Sequence, residues 1–258
     1  MSDTILFSQE GGVATITLNR PKAFNSFNRE MALALIEKLE ECANNKEVRA
    51  IVLTGEGRAF CAGQDLAEAT SETFSFKQAL SEHYNPIVSK IRSIEKPIIG
   101  AINGVAAGAG ANIAFICDLT IAKKSVNFTQ AFSKIGLVPD SGGTFSLPRL
   151  VGMQRATAMM MLSEKVSAEE AERIGLIYKA VEDEEYAETV AKTAAKMARM
   201  PTKALGLTKR LLNVSMSNDW DTQLQLEGQL QIEASETYDY NEGVQSFLEK
   251  RRPVFKGE

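Results

Sequence analysis

Three stretches of this chain hold residue types that could do chemistry. Leu137-Val138-Pro139-Asp140-Ser141-Gly142-Gly143-Thr144 sets one acid among apolar residues and before a glycine pair. A carboxyl group in such surroundings loses hydration, so its pKa rises and it can take and return protons near neutral pH. The plainer reading of Asp140 is a helix N-cap. Phe60-Cys61-Ala62-Gly63-Gln64-Asp65-Leu66 and Gly108-Ala109-Gly110 join small residues to helix starts. Backbone N–H groups exposed there suit oxygen anions, and two of them from two loops can hold one oxyanion without any particular side chain. Close helix packing is the plainer reading of Gly108-Ala109-Gly110, and either loop alone says little. The glycines at 108 and 110 do not make a dinucleotide fingerprint, because Ile113 stands where Gly or Ala belongs. With one histidine, His83, and the widely spaced Cys42, Cys61 and Cys117, zinc sites and Ser-His-Asp triads have little to build from.

These loops need elements to hold them. Ile5 to Leu18 alternates and is divided by Gly11-Gly12, which predicts a hairpin. Helical spacing of Leu35, Ile36, Leu39 and Cys42 predicts a helix over Arg29–Asn44, followed by a strand at Val48–Thr54. A second helix over Phe76–Ile94 leads into a strand at Pro97–Ile102, then the Gly/Ala helix and a strand at Leu119–Ala122. Alternating strands and helices predict an α/β architecture with crossover connections. After Pro201 glycine becomes scarce, and three amphipathic helices are expected at Ala204–Met216, Trp220–Glu236 and Asn241–Lys250. Such a short helical appendage packs on its own core or on another subunit.

The 258 residues fit one or two domains, at about 100 to 200 residues each. Hydrophobic residues at 44% and charged residues at 24% describe a globular protein and exclude wholesale disorder. Twenty-nine Lys and Arg against 33 Asp and Glu leave a net charge of −4, with no basic stripe, so nucleic acid is not an expected partner. The opening MSDTILFSQEGG predicts no signal peptide, and three unpaired cysteines suit a reducing cytoplasm. Ile98–Cys117 carries no charge, but Asn103, Asn112 and its many glycines and alanines argue against a membrane span.

Four blocks in order resemble the crotonase, or enoyl-CoA hydratase/isomerase, superfamily over essentially the whole chain. They are Leu18-Asn19-Arg20-Pro21 with Asn25, Ala59 to Leu66, Lys96-Pro97 with Asn103 to Gly110, and Gly136 to Gly143. The resemblance implies a spiral of ββα units with a helical C-terminal trimerisation region. It divides the chain into an acyl-CoA-binding core, 1–200, and an oligomerisation region, 201–258, giving a homotrimer or dimer of trimers. The implied substrate is a coenzyme A thioester, so coenzyme A is part of the substrate and no separate cofactor or metal is implied. The family's oxyanion hole maps onto the N–H groups of Ala62 and Ala109. Its substrate contacts map onto Lys22, Ala23, Phe24, Ala62, Gly63, Gln64, Asp65, Leu66 and Gly108. Basic residues of the Lys250–Arg252 tail are candidates for the 3′-phosphate, against the plain reading of a solvated terminus.

Departures from the family's hydratases bear on the reaction. Those enzymes hold a water between two glutamates, and the matching positions here are Asn112 and Phe132. Neither can move a proton. Asp140 matches the carboxylate of some family isomerases, and Phe132–Asp140 with Tyr84-Asn85-Pro86 resembles most the branch acting on ring-epoxide acyl-CoA thioesters. An acyl-CoA isomerase is therefore expected. The rivals are a hydratase with another acid near the acyl chain, a hydrolase using Asp140 as nucleophile, which wants a histidine base where the register places Asn85 while His83 lies on the preceding helix, and a non-catalytic RNA-binding relative, which the net acidity disfavours.

Overall fold

The computed structural model describes residues 3–258. Its large sheet begins with the expected hairpin, β1 (Ile5–Glu10) and β2 (Val13–Leu18), paired antiparallel. Helix α1 (Arg29–Asn44) then crosses over to β3 (Ala50–Gly55), parallel to β2. From here the chain repeats one move. It leaves the large sheet, makes a three-residue strand in a second sheet, and turns into helix. Thus β3 is followed by β4 (Ala59–Cys61), and β5 (Ile98–Ile102) by β6 (Val105–Ala107). Likewise β7 (Leu119–Lys123) is followed by β8 (Asn127–Thr129), while β9 (Lys165–Ser167) and β10 (Lys179–Val181) each close one sheet. The orders are β1-β2-β3-β5-β7-β10 and β4-β6-β8-β9. Because β4 and β6 are neighbours, the loops that follow them lie side by side. That is how two segments more than forty positions apart come to share a site.

Strands β3 and β5 are near-continuous apolar runs because both sheet faces are covered. Ile51, Leu53, Ile98 and Ile102 face the main core with Met31, Leu35 and Leu39 of α1. The alternate residues Val52, Ile99 and Ala101 face Tyr186, Val190 and Ala194 of a helix over Tyr186–Ala198. Every residue of the Gly/Ala helix, Ala109–Ile116, is buried. Its small side chains are a packing requirement: a Cβ at Gly110 would sit 2.3 Å from the Cys61 carbonyl oxygen.

The helix expected over Phe76–Ile94 forms in three parts: one turn at Phe76–Gln78, a π-helical stretch at Ala79–Tyr84, and a helix at Asn85–Ser93. Pro86 is the physical reason. It has no N–H and its ring crowds the preceding turn, which the wider π register accommodates. The N–H of Asn85 accordingly reaches the Leu80 carbonyl.

After Pro201 three helices form at Thr202–Ser215, Trp220–Ser235 and Tyr238–Leu248. A partly buried ion cluster around the buried Lys209 fixes the first of them to the core. Lys209 Nζ donates to Asp118 Oδ2 (2.8 Å) and to the Ile91 carbonyl (2.6 Å), and Arg92 also pairs with Asp118 (3.2 Å). The second and third leave large apolar side chains uncovered, including Trp220, Ile232 and Phe247. The basic tail is not loose. Arg251 pairs with Glu242 (2.6 Å), and Asp239 accepts the N–H groups of Lys256 (2.6 Å) and Gly257 (2.8 Å). None of the helices is long and apolar enough to cross a membrane among the described residues.

Candidate active site

The loops after β4 and β6 open on one cavity of about 570 Å³. Ala62, Gly63, Gln64, Asp65, Leu66, Gly108, Ala109 and Asp140 all line it, as do Ala23 and Phe24. Lys22 does not; it is exposed in the middle of the 3-10 turn at Pro21–Ala23. The remaining wall is mostly apolar and aromatic, with Phe76, Leu80, Tyr84, Phe132, Ile135 and Leu137, and adds Ser26 and Lys134.

The floor is made of backbone. Ala109 opens its helix, so its N–H has no acceptor within that helix. In the facing loop, Phe27 pairs with Gln64 as in a parallel sheet: its N–H goes to the Gly63 carbonyl (2.7 Å) and its carbonyl accepts from Asp65 N–H (2.9 Å). That pairing leaves the Gln64 N–H unused. The Ala62 N–H, expected as the second donor, is instead spent on the Phe24 carbonyl (3.0 Å). Gly63 holds the loop at φ +95°, and a Cβ there would lie 3.2 Å from the Ala107 carbonyl oxygen and 3.6 Å from the Ala109 nitrogen. The two loops approach this closely because no side chain stands between them.

Asp140 lines the same cavity. It caps nothing: the next helix starts at Gly143 behind Gly142, without a side-chain cap. Its carboxylate accepts from the Ser141 hydroxyl (2.9 Å). Burial pushes its pKa above the ordinary carboxylate range, with the Ser141 bond pulling weakly the other way. Asp65 is the other acid among the described lining residues, and it serves structure. It caps Leu66–Ala69 through the Ala67 N–H and pairs with Arg20 at 2.7 Å. Burial opposes its charge, but Arg20 and the Ala67 N–H outweigh that and hold its pKa down.

Asn112 is wholly buried outside the cavity lining, whereas Phe132 forms part of the wall. His83 is also buried outside the lining, with Nε2 3.3 Å from Arg29 Nη1, and burial with that cation lowers its pKa. Asn85 is exposed and does not line the cavity. The residue that sequence reasoning left without a role is Tyr84. The π-helical turn buries it in the wall, where its hydroxyl donates to Gln64 Oε1 (2.8 Å), and burial drives its pKa strongly upward. Pro86 two positions on was the available signal. Taken together, this is a largely apolar pocket with two backbone N–H groups free of protein acceptors and, beside the ion-paired Asp65, one carboxyl group without an ion pair.

The chain matches the enoyl-CoA hydratase/isomerase family over residues 8–258. It is 45% identical over 261 residues to the 1,2-epoxyphenylacetyl-CoA isomerase of Escherichia coli (strain K12), covering 100% of both chains. It is also 46% identical over 254 residues to a Rhodobacter capsulatus protein named "Probable enoyl-CoA hydratase", covering 98% of each. The crystal structure of an enoyl-CoA hydratase from Bacillus anthracis superposes with a TM-score of 0.94 at 32% identity, over 99% of this chain and 100% of that one. An α/β spiral of this kind, with parallel sheets and a helical C-terminal region, is the crotonase fold. The protein belongs to the enoyl-CoA hydratase/isomerase family.

Proposed function

We propose that the protein is an acyl-CoA isomerase that shifts a proton, and with it a double bond, through a thioester enolate. The observation that carries this reading is that Asp140 is the one uncommitted acid among the described residues of the cavity wall, since Asp65 is tied to Arg20. The thioester oxygen lies between the N–H groups of Gln64 and Ala109; Ala62 is replaced as second donor because Phe24 already occupies its N–H. Asp140 takes a proton from a carbon of the acyl chain, the electron pair moves onto the thioester oxygen, and the same carboxyl group returns the proton to another carbon. An aromatic wall of Phe76, Tyr84 and Phe132 suits an unsaturated or ring-bearing acyl group, and the Escherichia coli relative's name supports a ring-1,2-epoxyphenylacetyl-CoA thioester. Hydration would need a second group to hold water, and the two matching positions offer a buried amide and a phenyl ring. The name of the Rhodobacter capsulatus relative keeps enoyl-CoA hydratase as the alternative.

A β,γ-unsaturated acyl-CoA incubated in heavy water should isomerise and gain deuterium, while crotonyl-CoA should hydrate slowly if at all. Brisk hydration with no isomerisation of unsaturated or ring-epoxide thioesters would replace this reading with the hydratase one. The uncovered Trp220, Ile232 and Phe247 support assembly through the 201–258 region into a homotrimer or dimer of trimers. Light scattering should give three or six chains per particle at micromolar concentration; a monomer would refute it.

A further inference from the structure

We infer that Asn112 and Gln130 form a buried amide splint that positions Asp140 for proton transfer. The inference rests on Asp140 being the base. Asn112 Nδ2 donates to the Asp140 carbonyl oxygen (2.9 Å), which also accepts the Gly143 N–H (2.9 Å). Gln130 Nε2 donates to Asn112 Oδ1 (2.7 Å) and so fixes which way the Asn112 amide faces. Both side chains are completely buried, and Asn112 packs against the Gly143 backbone so closely that a Cβ on Gly143 would lie 2.3 Å from Nδ2.

Two features indicate positioning rather than stability. Gln130 Oε1 is buried without a hydrogen-bond partner, which destabilises the fold and calls for another reason to keep the residue. Ser141, directly after Asp140, is held at φ +51°, a conformation that persists in a non-glycine residue only where its surroundings fix it. The bond from Asn112 supplies that hold. It also links the two halves of the chemistry, because Ala109 and Asn112 stand one turn apart on the same helix. One rigid element thereby sets the distance between an oxyanion donor and the base. Asn112 is not itself part of the cavity lining, so it acts through Asp140 as a positioning residue.

The test compares Asn112→Ala, Gln130→Met and the double variant, with turnover, deuterium uptake and pH profiles on a β,γ-unsaturated acyl-CoA. Asn112→Ala should lower kcat about 10- to 100-fold with KM within about threefold, the scale expected for a misplaced group. The acid limb of kcat/KM should move to lower pH, because a looser Asp140 regains water and its raised pKa falls. Tyr84, Asp65 and Lys134 face the same cavity and are unaltered in these variants, so that movement reports Asp140. Gln130→Met should show the same change in smaller degree, and the double variant should be no slower than Asn112→Ala, as coupled residues require. Wild-type kcat and an unmoved acid limb in Asn112→Ala, or effects that multiply, would overturn the inference. Should Asn112→Ala fail to fold, an unmoved limb in Gln130→Met overturns it alone. Loss of turnover in Asp140→Asn without these changes refutes the splint and spares the base; full turnover in Asp140→Asn refutes the base itself.

Discussion

Asp140→Asn should lower turnover about 100- to 10,000-fold while acyl-CoA binding stays near its wild-type strength. Asparagine keeps the shape of the side chain and can still meet the Ser141 hydroxyl, so the lost quantity is the base. The same substitution should raise thermal stability near neutral pH. Burial lifts the folded pKa of Asp140 above its unfolded value, so the folded chain holds the proton more tightly than the unfolded chain. Stability is then lost as pH rises through the window between the two values, and the ionised carboxylate destabilises the fold above it. A neutral amide removes that penalty. The stability difference between variant and wild type should therefore shrink as pH falls through that window, and be gone below the ordinary carboxylate range. Thermal melts at several pH values alongside kinetics test both halves. Unchanged turnover, or a variant that melts lower than wild type at neutral pH and no closer at acid pH, would count against Asp140 as a buried base.

Much of this fold was legible in the sequence because its central elements are long and strongly patterned. Helix α1 spans Arg29–Asn44 as expected, and β5 and β7 fall within a residue or two of their expected bounds. The second sheet was not legible. Its strands are three residues each, too short for any period, and they form because the spiral brings them together. Position 140 was found because an acid among apolar residues is conspicuous. Which N–H groups are free was not readable at all: Ala62 and Gln64 are two residues apart, and the bond from Ala62 to Phe24 depends on where a distant turn lies. The aromatic wall has the same limit, since Phe76, Tyr84 and Phe132 come from three separate segments.

Gly63→Ala tests the backbone donors, where no side chain exists to remove. Its effect on turnover should be about 100- to 1,000-fold, the scale of losing one oxyanion donor. Two costs fall on alanine at this position. At φ +95° the added Cβ strains the backbone, and the same Cβ meets the Ala107 carbonyl oxygen at 3.2 Å and the Ala109 nitrogen at 3.6 Å. Either the loops part, which separates the Gln64 and Ala109 N–H groups, or the methyl stays in the space between them. Strain alone would lower stability without touching the chemistry, so a control is needed that has the first cost and not the second. Gly11 provides it: its φ is +52°, and a Cβ there meets nothing within 4 Å in the β1–β2 turn. Gly11→Ala should lose about 1 to 2 kcal/mol of stability and keep its turnover. Gly63→Ala should lose at least as much stability and most of its turnover, with deuterium exchange falling in parallel because enolate formation itself is impaired. If both variants isomerise at the wild-type rate, the gap between these loops does not hold the thioester oxygen.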